Sequence, residues 1–255
     1  MSVTHPPAVP EINLVDASDL KASLALGWRD FRRAPVLGLA FSAVYVLGGW
    51  LITWAVTAKG QVWWTLPASA GFPILGPFVA CGFYEISRRL EAGEPLVANE
   101  IFGVIFRQKD RQIPAIAAVI VVYFLFWNFL SHMIFALFLG NATMTNVSSS
   151  LAVFLSPQGL SMLAFGTLVG AGFATLLFCL TVVSLPMLLD REVDFVTAML
   201  TSFALVRENP RIMLSWGALI AICLFLGMLP AFLGLLVVLP LFGHASWHLY
   251  RRAIT

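Results

Sequence analysis

VLGLAFSAVYVLGGWLITWAVT, residues 36–57, contains no charged side chain. As a helix it would extend about 33 Å, enough to cross a bilayer core of roughly 30 Å. Five further apolar runs follow at 62–84, 114–139, 160–189, 212–228 and 232–250, the last two joined around Leu229-Pro230. The pattern predicts an all-α fold, a polytopic membrane bundle of six transmembrane helices. It would occupy residues 36–255, after a polar tail at 1–15 and a cytoplasmic amphipathic segment at 16–35. Composition agrees: 60% of the 255 residues are hydrophobic and 11% charged, against about 25% charged in soluble domains. Pro67, Pro73 and Pro77 in the second run are tolerable where neighbouring helices satisfy the freed carbonyls.

Basic residues orient the bundle, because Lys and Arg are retained on the cytoplasmic side. Fourteen of the 15 fall on one side of the six-span scheme and only Lys59 on the other, so both termini are expected in the cytoplasm. Arg32, Arg33, Arg88, Arg89, Arg251 and Arg252 become interface anchors. The acidic residues share that side, so the face is zwitterionic, which speaks against a polybasic clamp for anionic lipid. Trp28, Tyr84, Trp216, Trp247 and Tyr250 are expected to mark the inner interface, and Trp50, Trp54, Trp63 and Trp64 the outer one. No cleavable signal is expected, since the first apolar run starts after 35 mostly polar residues.

Three hairpins are each preceded by an amphipathic segment that ends near a proline, a pattern of a threefold internal repeat. In the first copy Leu20, Leu24, Trp28 and Phe31 recur at helical spacing behind a cap at Asp16 or Ser18, and Pro35 opens the span. The third copy has Val196, Met199, Leu200, Phe203 and Val206 behind Asp194, with Pro210 opening the span. The middle copy, 101–114, is weaker. These segments are expected to lie flat at the interface. The returning spans also align: PFVACGFYEISRR (77–89) and PLFGHASWHLYRR (240–252) place Glu85 and His248 at the same depth. There they could meet if spans two and six are neighbours; the alternative is that each snorkels separately to water.

GWRDFRRAP (27–35), GPFVACGFYEISRRLEAGEP (76–95), SLPMLLDREVDFVTAMLTSFALVRENPRIMLSWGALIA (184–221) and LPLFGHASWHLYRR (239–252) resemble the bacterial family of integral membrane proteins called domain of unknown function 2189. The resemblance covers nearly the whole chain after the tail. It implies a bacterial inner-membrane setting and, because some members are labelled cytochrome c oxidase subunits, a pointer to respiration. It implies no catalytic residues.

Chemistry-bearing residues are sparse. His244 and His248 share a helix face at i, i+4 spacing and could in principle ligate one metal. His132 falls at a different depth, so no three-histidine centre and no cofactor are expected, and three intramembrane histidines are too few for catalytic haem–copper chemistry. Glu85 is the deepest acidic group, and no charge sits mid-span, which argues against an ion-coupled transporter. Gly166 and Gly170 form a GxxxG read as close helix packing. Cys81, Cys179 and Cys223 lie within apolar runs and read as buried small side chains. No phosphate loop, nucleophile elbow or zinc-protease motif occurs. The expected function is a non-catalytic accessory, assembly or scaffolding component, with membrane lipid and a respiratory or other membrane complex as partners and no nucleic acid. The competing reading is a transporter for a small or lipid-like substrate.

Overall fold

The computed structural model describes residues 10–59, 65–108, 111–140 and 152–255, and among them the chain is helical apart from one bridge, Ile12 with Ile254. The helices are α1 (Ala17–Arg33), α2 (Pro35–Lys59), α3 (Thr65–Ala92), α4 (Ala98–Gln108), α5 (Ile113–Leu139), α6 (Ala152–Leu155), α7 (Pro157–Thr181), α8 (Ser184–Asp190), α9 (Phe195–Glu208), α10 (Pro210–Met228) and α11 (Leu235–Ala253). Trp63, Trp64, Lys109 and the loop with Asn141 and Asn146 lie outside the described residues.

Among the described residues four helical stretches are long and apolar enough to cross a membrane by themselves: Pro35–Ala55, Ile113–Leu139, Pro157–Asp190, which joins α7 and α8, and Pro210–Met228. They expose large apolar side chains, among them Phe126, Phe129, Leu137, Leu168 and Phe225, which water would penalise and lipid accepts. The runs expected as spans two and six correspond to α3 and α11, which fall outside that criterion. Position explains why α11 is more polar. It is packed by α1, α2, α3 and α10 and buries ten of its residues, so its surroundings are protein rather than acyl chains.

Local chemistry sets the helix ends. Asp16 caps α1 in a reciprocal capping box with Asp19, and Asp194 caps α9 through the Thr197 amide. Pro35 and Pro210 open α2 and α10, where their missing N–H costs nothing. The run expected as one span at 160–189 is broken at Val182–Val183, between α7 and α8. Pro186 accounts for the break, because it cannot donate to the Val182 carbonyl and its ring would collide with it.

α11 runs antiparallel to α1 and α2 along most of their length. Successive contacts join Arg252 to Asp19, Ala245 to Gly27, Pro240 to Gly38 and Phe232 to Gly49. At the far end the Trp50 indole donates to the Ala231 carbonyl at 2.7 Å, in a turn where Ala231 and Phe232 have positive φ. At the near end the backbones of Glu11 and Asn13 bond to those of Thr255 and Ala253. The first described residues and the C-terminal ones therefore lie together at one end of the bundle.

Two expectations about faces need correction. α1 packs along the bundle and buries Ser23, Gly27, Asp30 and Phe31 against it, while Trp28, expected on the same face as Phe31, remains 44% exposed. Of the periodic apolar set, Leu20, Leu24 and Phe31 pack inward and Trp28 turns outward, so apolar size alone does not mark the contact face. Close approach does, because a Cβ on Gly27 would lie 2.7 Å from the Ala245 nitrogen. Likewise Tyr84, Trp216, Trp247 and Tyr250 are buried core residues, not an interfacial belt. Trp216 packs edge-on against Phe242 at 5.4 Å.

Candidate functional site: a buried polar layer beneath the chain termini

The close approach of Gly27 to α11 carries Asp30, one turn later, onto His248. The His248 Nε2–H donates to Asp30 Oδ2 at 2.6 Å, and Arg29 donates to Oδ1 through Nε at 3.0 Å and Nη2 at 2.9 Å. Asp30 is fully buried. Burial pushes its carboxyl up, but hydrogen bonds from His248 and Arg29 outweigh that and hold it below the usual carboxylate range.

The Glu85–His248 contact that the aligned registers allow is replaced by this pair. Glu85 is instead held by its own helix: Arg88 donates at 2.8 and 3.0 Å and Arg89 at 2.7 Å. Those guanidiniums lie at i+3 and i+4, the nearest neighbours a helix provides. Arg89 goes on to Glu100 at 2.7 Å, and Arg88 to Glu94 at 3.0 Å, which ties α3 to α4.

His244 and His248 share the buried side of α11 but turn to different partners. His244 Nδ1 lies 2.9 Å from Ser87 Oγ and 3.1 Å from the Phe83 carbonyl, and its Nε2 has no hydrogen-bond partner. His132, on α5, bonds to the Asn128 carbonyl of its own helix. Among the described residues no group of three or more His, Cys, Asp or Glu is placed to hold a metal ion. Ser87 and His244 have the spacing of a nucleophile and its base, yet both side chains are fully sealed in the core.

The remaining polar contacts tie the C-terminus to α8 and α3. Tyr250 donates to Asp190 at 2.7 Å, while Arg191 bonds to the Tyr250 hydroxyl at 2.9 Å and to the Ile254 and Thr255 carbonyls. The Trp247 indole donates to Glu91 at 2.9 Å, and Arg251 bonds to Glu91 and Asp190. Of the expected anchors, Arg88, Arg89, Arg251 and Arg252 thus belong to the layer, whereas Arg32 and Arg33 make no ion pair or hydrogen bond through their side chains among the described residues. Asp30, Glu91 and Asp190 were not singled out from the sequence. The small pair Ser23 and Gly27, followed by an acid on the same face, was the signal available for Asp30.

Away from this layer, an apolar groove of about 570 Å³ opens between α5 and α7, walled by Trp127, Ile134, Phe135 and Met162 over Gly166 and Gly170. Gly170 is covered by the Trp127 ring, as close packing requires. Gly166 is not: a Cβ there would find its nearest neighbour, Ile134, 3.9 Å away.

No curated relative and no solved structure matches the chain. A family model matches over α3 to α8, a shorter stretch than the resemblance read from the sequence, which reached both GWRDFRRAP and LPLFGHASWHLYRR. Residues 65–190 match the model of the family described as predicted integral membrane protein (DUF2189).

Proposed function

We propose that the protein is a six-span, non-catalytic component of a bacterial inner membrane that acts through other membrane proteins, as an accessory, assembly or scaffolding subunit, with respiratory complexes as first candidates. The observation that carries this reading is the division of its polar and apolar surfaces. The buried charges are engaged with one another in the layer beneath the termini, and the space open between α5 and α7 is apolar. Such a bundle offers neighbours shape and greasy surface rather than a reactive centre or a polar path.

Six spans are supported by the pairing of α11 with α2 from Pro240 to Ala231, which gives α11 the depth of a qualifying span. The joined chain ends fit an even number of crossings. The threefold repeat is supported by the breaks before Pro35 and Pro210: Ala34 and Asn209 share nearly one conformation, at φ −130°, ψ 52° and φ −122°, ψ 50°.

The topology follows from the charge asymmetry. Reporter fusions at either terminus are expected to be active in the cytoplasm and one at Asn146 in the periplasm; a periplasmic C-terminus would overturn the six-span reading. The accessory role predicts that the protein purifies in mild detergent with a stoichiometric membrane complex, and that the abundance of this complex falls in cells lacking it. A protein that purifies alone and accelerates substrate flux in liposomes would establish the transport reading instead.

A further inference from the structure

In the six-span scheme the acidic residues of the end that holds the termini nearly equal its basic ones, 13 against 14, but their side chains do not leave the surface uniformly neutral. Glu85, Glu94 and Glu100 are held by Arg88 and Arg89, Asp190 and Glu91 by Arg251, and Asp19 by Arg252. On α1, Asp30 points into the bundle toward His248 and engages only Arg29. Arg32 and Arg33 are thereby left without a carboxylate among the described residues, as two uncompensated cations in the last turn of α1.

They are not scattered. Ala25, Trp28, Arg29, Arg32 and Arg33 line one groove of about 470 Å³ on the face of α1 opposite Gly27 and Asp30. Trp28 is 44% exposed, and its ring is held against the buried Phe31 at 5.7 Å between centroids. The groove ends two residues before Pro35, where a membrane-spanning helix begins, and the first turns of that helix expose Val36, at 75%, and Leu39.

From this juxtaposition we infer a binding site for the phosphodiester headgroup of an anionic phospholipid. Arg32 and Arg33 supply planar donor forks to the phosphate oxygens, Arg29, whose Nε and Nη2 are engaged by Asp30, adds its Nη1 from a fixed position, and Trp28 covers the glycerol region. The exposed start of α2 receives an acyl chain. The lipid is favoured over free phosphate because an indole and two exposed aliphatic side chains beside the cations suit an amphiphile standing at the interface. The inference rests on membrane embedding and not on the accessory role.

Native mass spectrometry of the full-length protein in mild detergent tests it, with equal amounts of phosphatidylglycerol and phosphatidylcholine supplied. Phosphatidylglycerol is expected to be retained preferentially, and the double variant Arg32→Gln/Arg33→Gln is expected to lower its retention about thirtyfold, roughly fivefold to sixfold per guanidinium. All four targeted side chains in the test and its control are exposed, so monodispersity and helical circular dichroism should match the parent. The control variant Arg207→Gln/Arg211→Gln removes two exposed cations flanking Pro210 and should retain the lipid. Equal losses in the two variants, or retention of phosphatidylcholine to the same degree, would overturn the site. Displacement of the lipid by an equal concentration of inorganic phosphate would overturn the assignment to lipid.

Discussion

Asp30→Ala is expected to destabilise the detergent-solubilised protein by about 3–5 kcal/mol, the range for removing one partner of a buried charged pair. The side chain is fully buried, its two oxygens are both occupied, and the His248 Nε2–H that it accepts at 2.6 Å has no other partner among the described residues. Alanine leaves that imidazole and the inner end of Arg29 undersatisfied in a region water does not fill. The measurement is equilibrium denaturation in detergent, followed by circular dichroism. His248→Gln should cost less, because Asp30 keeps Arg29, and the double variant should lose less than the sum of the two. A loss below about 1 kcal/mol for Asp30→Ala, as in an exposed pair, would mean that water reaches this layer. The acid limb provides an independent check. Because the folded carboxyl lies below its ordinary value of 3.8, its contribution is complete above that pH and fades as the pH falls through the lower folded value. Asp30→Asn should remove that part of the acid sensitivity.

Most of the helices were legible because their signals are local. Uncharged apolar runs gave α2, α5 and α10 nearly to the residue, Asp16 and Asp194 announced their caps, and Pro35 and Pro210 their breaks. Pro186 was equally visible, yet the break at Val182 was not anticipated, since apolar residues continue on both sides and hydropathy is blind to a missing N–H. The site was harder to read for a different reason. Aligning 77–89 with 240–252 fixes depth along two helices but not the rotation of either, and pairing across helices needs both. Glu85 had two arginines within a turn of its own helix, so it required no partner elsewhere. Asp30 also had Arg29, Arg32 and Arg33 within a turn, but it faces the bundle, where only Arg29 of these reaches it and its other oxygen finds a donor on α11. In a bundle whose outer surface is apolar, hydrophobic periodicity also loses its power to identify the contact face, because lipid rewards exposed Trp28 as readily as the core would.

Gly27→Ala tests which of those two rules governs α1. In a helix lying at the interface without a protein partner, the substitution should stabilise by up to about 1 kcal/mol through helix propensity. In the observed packing the new methyl would stand 2.7 Å from the Ala245 nitrogen, 2.8 Å from the Leu241 oxygen and 2.9 Å from the Ala245 Cβ. Two of these atoms are backbone of α11, which no rotamer change can move aside, so α1 has to shift outward. The expected net result is a loss of about 1–3 kcal/mol, the usual cost of overpacking. The shift also lengthens the Asp30–His248 contact one turn away, so the coupling between those residues should shrink when the double-mutant cycle is repeated in the Gly27→Ala background. Trypsin should cut faster after Arg32 or Arg33 as α1 loosens. Gly172→Ala in α7 serves as the control for an open position, since its added methyl meets nothing within 4 Å, and it should be neutral or mildly stabilising. If Gly27→Ala behaves as that control does, α1 is an interfacial helix after all, and the buried pair that depends on its close approach does not form.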